Sequence, residues 1–216
     1  MGVLLGMGDG SFEAAAEFFA ENFPIDVHLV DMDRDGALDV VLVNRNDPDN
    51  PDDQATPRVG IHFGSGDGVF DFDNRVAYTA GGAPSALAVA DLNSDNHFEA
   101  ITLHPADSRL YIMLGKPEGK LATPQLRRTA LDPQALVAVD TAGNSLPDLV
   151  TTHAQGAVGV LINQGSSVFS GAMVHPLGTD PTGLAVGDLD ADGRPDVVVS
   201  NGATNDIAVA YGASAP

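Results

Sequence analysis

Val27-His28-Leu29-Val30-Asp31-Met32-Asp33-Arg34-Asp35-Gly36-Ala37-Leu38-Asp39-Val40-Val41-Leu42-Val43 places two short apolar runs on either side of an acidic loop. Both runs are rich in Val and Leu, and the loop between them is rich in Asp and Gly. That is the composition of two strands joined by a turn. The arrangement returns three times. Leu87-Ala88-Val89-Ala90-Asp91-Leu92-Asn93-Ser94-Asp95-Asn96 leads into Phe98-Glu99-Ala100-Ile101. The third copy runs from Val137 through Asp140 and Asn144 to Asp148-Leu149-Val150. The fourth runs from Leu184 through Asp188, Asp190, Asp192 and Gly193 to Asp196-Val197-Val198-Val199. Self-similarity at such a period marks a repeat architecture.

A second signature alternates with the first. Leu5-Gly6-Met7-Gly8-Asp9-Gly10-Ser11-Phe12 matches Phe63-Gly64-Ser65-Gly66-Asp67-Gly68-Val69-Phe70. Looser copies run from Leu114-Gly115 to Leu121 and from Ile162-Asn163 to Phe169, with Tyr211-Gly212 near the end. An apolar run, a glycine turn and an aromatic restart spell a hairpin. Each period therefore reads as four strands: a first rich in small residues, the acidic loop, a Val/Ile/Leu-rich second, a third ending at the glycine turn, and a fourth starting at the aromatic. The expected fold is all-β, a β-propeller or partial propeller of about four four-stranded blades, with Asp-rich calcium loops between first and second strands. Blades are expected at 25–80, 84–130, 134–178 and 182–216, with 1–22 supplying closing or extra strands. An irregular β-sandwich is the alternative, but a sandwich has no need of repetition. Phe12 to Asn22 has helix-like composition, and its register with the other copies assigns it to a strand.

Composition narrows the function. The 216 residues carry 30 acidic and 10 basic side chains, a formal charge of −20, which argues against nucleic acid and anionic membranes as partners. Hydrophobic residues make up 44% and charged residues 19%, a globular balance. There is no cysteine, which excludes disulfides and zinc–thiolate sites. No apolar stretch is long enough to span a bilayer. The start, Met1-Gly2-Val3-Leu4-Leu5-Gly6, has no basic region or cleavage site, so no signal peptide is expected in this chain.

The acids are concentrated where a cation would need them. Asp-x-Asp-x-Asp-Gly-x-x-Asp puts carboxylates at positions 1, 3, 5 and 9 of one short loop, with a turn-permitting glycine at 6 and a carbonyl at 7. Calcium takes six to eight such oxygens. The first loop offers Asp31, Asp33, Asp35, the Ala37 carbonyl and Asp39; the fourth offers Asp188, Asp190, Asp192, the Arg194 carbonyl and Asp196. The second offers Asp91, Asn93, Asp95, His97 at position 7 and Glu99, with Asn96 in the glycine slot. In the third, Ala142 replaces the position-3 donor and Ser145 the glycine, leaving Asp140, Asn144 and Asp148. An EF-hand would need Glu at position 12, where Leu42 and Val199 stand. Two to four calcium ions, structural in role, are expected. Acidic turns without an ion are the plainer alternative.

These loops, together with Phe63-Gly64-Ser65-Gly66-Asp67-Gly68, resemble the FG-GAP/VCBS repeats of integrin alpha-subunit propellers and many bacterial surface proteins. The resemblance covers nearly the whole chain and departs from the pattern at the third loop. It implies calcium in the loops and a non-enzymatic module for adhesion, recognition or scaffolding at the cell surface or outside the cell. The implied partner is a protein or a glycan. A lectin-like propeller and an accessory domain of a secreted hydrolase are the alternatives. The family's propellers typically have seven blades; this chain supplies about four periods. An arc of a longer ring, a closed four-bladed ring and two self-associated chains completing a ring all remain open.

No nucleophile–base pair, phosphate loop or zinc spacing is present, so no catalytic residue is expected. Asn44, His104, His153 and Asn201 fall at equivalent positions after the second strands, where they either meet a ligand or cap their own loops. The side chains of His28, His62, His97 and His175 share no register. Arg45 to Arg58, rich in Asp and Pro, reads as a solvated insertion.

Overall fold

The computed structural model describes residues 1–18, 23–46, 56–71 and 75–212. A two-stranded hairpin, β1 (Gly2–Val3) and β2 (Ala16–Glu17), precedes four antiparallel sheets. The first sheet is β3 (Pro24–Val30), β4 (Asp39–Asn44), β5 (Arg58–His62) and β6 (Val76–Thr79). The second begins with β7 (Ala86–Ala90), β8 (Glu99–His104) and β9 (Arg109–Met113). A small hairpin follows, β10 (Gly115–Lys116) with β11 (Lys120–Leu121), and β12 (Gln125–Arg128) then completes the sheet. The third is β13 (Pro133–Val139), β14 (Asp148–His153), β15 (Ala157–Leu161) and β16 (Met173–Pro176). The last is β17 (Pro181–Gly187), β18 (Asp196–Asn201) and β19 (Asp206–Ala210).

Each sheet is a meander, the order that successive hairpins produce. Three of the four first strands start with proline and carry a register shift just after it, at Pro24/Asp26, Pro133/Leu136 and Pro181/Gly183. Proline has no N–H for the ladder, so it is tolerated at a strand start. The aromatics after the glycine turns make isolated bridges instead of opening the fourth strands: Gly6 with Phe12, Gly64 with Phe70, and Asn163 with Phe169. The fourth strands begin several residues later, contrary to the sequence expectation. Residues 12–18 contain strand β2 and no helix, while 19–22 lie outside the described residues. So do 47–55 of the expected insertion.

The sheets pack face to face through their first strands, β3 on β7, β7 on β13, and β13 on β17. Apolar side chains alternate between the two faces of each strand and so build a separate core at each junction. Met32, Val41, Ile61 and Leu87 fill the first; Leu92, Ile101, Leu110 and Leu149 the second; Val150, Val158 and Val199 the third. Strands β4, β8 and β14 are buried along their whole length, which accounts for their continuous apolar runs. Polar clamps tie neighbouring sheets. Asp26 Oδ2 accepts the Leu87 N–H at 2.9 Å, and the His28 Nε2 lies 3.0 Å from the Leu87 carbonyl. The Asn163 amide donates to the Leu92 carbonyl at 2.7 Å. His28, without an assigned role in the sequence, is thus part of the first junction.

Among the described residues, strand β19 pairs with β18 alone, and no fourth strand completes the last sheet.

Candidate metal centres

All four acidic loops wind in the same way, because the same hydrogen bonds recur. The position-1 carboxylate accepts backbone N–H groups across the turn: Asp31 from Asp35 and Gly36, Asp91 from Asn93 and Asn96, Asp140 from Gly143, Asn144 and Ser145, and Asp188 from Asp192 and Gly193. Position 5 accepts the position-7 N–H: Asp35 from Ala37, Asp95 from His97, Asn144 from Leu146, and Asp192 from Arg194. These are Asx turns, which Asp and Asn favour because their short side chains mimic backbone. The backbone is left-handed at position 6 in every loop (Gly36, Asn96, Ser145, Gly193), as the glycine pattern suggested. It is also left-handed at position 4, at Arg34, Ser94, Gly143 and Ala191, which the sequence did not signal.

Position 9 does more than complete a donor set. Asp39, Glu99, Asp148 and Asp196 are all fully buried. In each, one oxygen accepts the position-2 N–H (Met32, Leu92, Thr141, Leu189) and the other accepts the N–H at the turn after the third strand (Gly64, Gly115, Asn163, Gly212). The acid therefore staples the loop to the hairpin of its own sheet. The glycine turns permit this approach: a Cβ on Gly64, Gly115 or Gly212 would lie 2.1, 2.6 or 2.7 Å from the position-8 carbonyl oxygen. The third sheet has Asn163 there instead, and its amide donates to the Pro147 carbonyl, also position 8, at 3.0 Å. The recurrence of an acid at position 9 together with a glycine turn was the available signal for this link.

Two loops bring three carboxylates together. Oxygens of Asp31, Asp33 and Asp39 lie within 4.8 Å of one another, as do those of Asp188, Asp190 and Asp196. Like charges gathered this closely repel one another. A hard cation removes that repulsion, and the donors are all oxygen, so the residues fit one. Position 5 stands outside both triads; in the fourth loop Asp192 Oδ2 pairs with Arg194 at 2.7 Å. The second loop differs at position 3, where the Asn93 amide donates to Asp95 Oδ2 at 3.0 Å. In the third loop, Asp148 accepts from Thr141 N, Thr141 Oγ1, Ala142 N and Asn163 N, so protein donors already surround this carboxylate.

Burial separates the position-9 acids electrostatically. Desolvation raises the Asp39 pKa, with the charges of Asp33 and Asp35 adding to it against the Gly64 and Met32 amides. Glu99 is raised to about 7, again chiefly by desolvation. Asp196 is lowered, because the hydrogen bonds from the Gly212 and Leu189 amides outweigh desolvation.

The four polar residues after the second strands do not form a ligand-facing ring. Asn44, His104, His153 and Asn201 are all buried, and burial is the correction to that expectation. Asn44 Oδ1 accepts the Arg58 N–H and Asn201 Oδ1 the Thr179 N–H, while His104 and His153 each pair through Nε2 with Thr102 and Thr151. They cap backbone and fill space. Desolvation lowers the His104 pKa to about 4 and moves His153 in the same direction. A folded pKa below the unfolded value near 6.5 means stability that is full above pH 6.5 and lost as pH falls towards 4. Between pH 7 and 5 this linkage removes about 2 kcal/mol. Urea unfolding of the parent and of His104→Gln at both pH values should show a loss shallower by about that amount in the variant. Equal losses would refute the assignment.

Among the described residues, no helix is long and apolar enough to cross a membrane. The family model described as an FG-GAP-like repeat matches residues 31–102 and 140–199, which contain all four loops. No curated protein sequence matches the chain. Among solved structures, a chain in the crystal structure of BBS1N in complex with ARL6DN, soaked with mercury, aligns with a TM-score of 0.64 at 10% identity. The alignment covers 99% of this chain and 59% of that one, so this chain spans well under two thirds of its neighbour's length. A lectin from Agrocybe aegerita, whose structure concerns recognition of non-reducing terminal N-acetylglucosamine, aligns with a TM-score of 0.50 at 17% identity, covering 98% and 71%. At these identities the likeness speaks for the fold alone, a β-propeller-like array of antiparallel sheets.

Proposed function

The chain belongs to the FG-GAP-like repeat family, and we propose that it is a non-enzymatic, calcium-stabilised β-propeller module for recognition, adhesion or scaffolding outside the cell. In this reading the sheets are blades and the acidic loops between their first and second strands hold calcium. The observation that carries it is the convergence of Asp31, Asp33 and Asp39, and of Asp188, Asp190 and Asp196, at equivalent places in the repeat. Asp91, Asn93, Asp95 and Glu99 make a third set with one charge fewer than the first loop. The ion's contribution is charge neutralisation, pinning the first strand of each blade to the second. Extracellular calcium is abundant enough to fill loops built this way.

Thermal unfolding in excess EDTA and again in millimolar calcium tests the reading. An ion that binds only the folded chain adds about 2.7 kcal/mol per site at a hundredfold excess over Kd. For a chain of this size that is a rise of roughly 5–10 °C per site. Identical melting curves would leave the loops as acidic turns and remove calcium from the function.

A carbohydrate-binding role is the second reading, favoured by the likeness to the lectin fold. Against it, the chain has no tryptophan and only three tyrosines, few platforms for sugar stacking. Calorimetric titration with N-acetylglucosamine decides it: saturable heat supports a lectin, and none dismisses that sugar as the ligand.

A further inference from the structure

The second sheet carries two arginines side by side. Strand β12 pairs with β9 so that Arg128 lies directly opposite Arg109, and Arg109 in turn lies opposite the buried His104. The Thr129 N–H bonds to the Ser108 carbonyl at 3.1 Å, which makes Arg109–Arg128 a non-hydrogen-bonded pair, the kind whose side chains stand closest. Like charges placed opposite each other destabilise a sheet. Arg109 is half-buried and Arg128 exposed, and neither guanidinium has an ion pair or a hydrogen bond among the described residues. This is so in a chain with 30 acidic side chains. The acids on the adjoining turns are bonded elsewhere: Asp107 accepts from the Tyr111 hydroxyl at 3.3 Å and Asp132 from the Gln134 amide at 3.1 Å. Folding does not call for the pair, because the same places hold Arg58 and Thr79 in the first sheet and Ala157 and Pro176 in the third.

The strand that carries Arg128 is also an edge. Among the described residues β12 pairs with β9 alone. In this register Leu126 and Arg128 turn their N–H and C=O groups to the open side. The Leu126 carbonyl accepts there from Arg127 Nη1 of its own strand, at 3.0 Å. Leu126 is 45% exposed and projects from the same face as Arg109 and Arg128. The sheet is flanked on both sides, by β3 and β13 through β7, so this setting does not depend on where the chain begins or ends. An added strand would bond to the Leu126 and Arg128 backbone and place alternate side chains beside theirs. Chemistry defines the complement. A carboxylate belongs beside the two guanidiniums, which bind it through paired N–H donors, and an apolar side chain two residues on belongs beside Leu126. The charge of −20 disfavours a polyanion, so the ligand's negative charge must be confined to that position. We propose that the open edge of β12 docks an extended segment of a partner protein with the pattern acidic–x–apolar, added antiparallel as a fifth strand of the second sheet. The site lies at the end of the sheet away from the acidic loops and does not depend on an ion in them.

An NMR titration of the isotope-labelled full chain with the blocked peptide acetyl-Thr-Glu-Thr-Val-Thr-amide tests this. The expected result is a saturable shift centred on the Leu126 and Arg128 amides. Arg109→Gln and Arg128→Gln are each expected to weaken binding about fivefold, and a peptide with Lys in place of Glu to bind about tenfold more weakly than the original. Neither variant should have a lowered melting temperature, because each removes a like-charge repulsion. Arg58→Gln, at the equivalent place opposite Thr79 in the first sheet, should bind like the parent. Absence of any saturable shift would overturn the proposal and leave the arginines as guards against edge-to-edge pairing. Equal binding of the Glu and Lys peptides would overturn it too. So would the same shifts from inorganic phosphate alone, which mark a simple anion patch, or a melting temperature that falls together with affinity, which assigns the arginines to packing.

Discussion

Asp39→Ala is expected to cost about 3 kcal/mol in EDTA, while Asp33→Ala costs almost nothing there and instead removes the calcium increment of the first loop. Both residues belong to the same carboxylate triad, but they are embedded differently. Asp39 is fully buried and accepts the N–H groups of Met32 and Gly64 at 2.7 and 2.9 Å. Alanine would leave both donors without an acceptor, and each unsatisfied buried donor costs about 1–3 kcal/mol. Asp33 is only partly buried and accepts one N–H, from Asp35, at 3.2 Å. Its charge also opposes ionisation of Asp39, so its removal relieves repulsion when no cation is bound. Urea unfolding of both variants with and without calcium separates the two roles. Equal losses in EDTA would show that the position-9 staple is not a structural element.

Gly64→Ala is expected to lower stability by about 4 kcal/mol, a drop of roughly 10 °C in melting temperature, while Gly6→Ala leaves it unchanged. The two glycines occupy the same place in the two best copies of the turn motif. A Cβ at Gly64 would sit 2.1 Å from the Leu38 carbonyl oxygen, with 3.2 Å to the carbonyl carbon. Backbone cannot yield as a side-chain tip can, and any retreat of the turn would break the Gly64 N–H to Asp39 bond. A Cβ at Gly6 meets nothing closer than Phe12 at 4.0 Å. Differential scanning calorimetry of both variants checks this, and a tolerated alanine at 64 would refute the close approach.

Much of the first-to-second strand unit was legible. The aspartates at positions 1, 3 and 5 and the residue at 6 specify a loop through bonds that span five residues or fewer, so the pattern can be read without knowing what packs outside it. The strand pairs on either side follow from the same spacing. Other features were hidden because they depend on residues far apart in the chain. Asp26 and His28 reach Leu87 across a sheet junction. The position-9 acid reaches a turn 15 to 25 residues away. Asn44, His104, His153 and Asn201 share a register that suggested a polar ring, and the packing of neighbouring sheets turned that register inward. The late start of the fourth strands was equally illegible, since the aromatic forms a single bridge before the ladder resumes.

Local chemistry in the sequence was enough to determine the repeat, its first-to-second strand pairs and the turns between them, because each rests on interactions within a few residues. Which copies of a motif carry weight was decided only in three dimensions. Val59 and Ile207 are equivalent in register, and one is core while the other faces water. Asp39 and Asp196 are equivalent in their loops, and burial raises the pKa of one while hydrogen bonds lower that of the other. The physical reason is the same in both pairs. Desolvation depends on how many atoms surround a group from every side, and only the presence or absence of a neighbouring sheet supplies them.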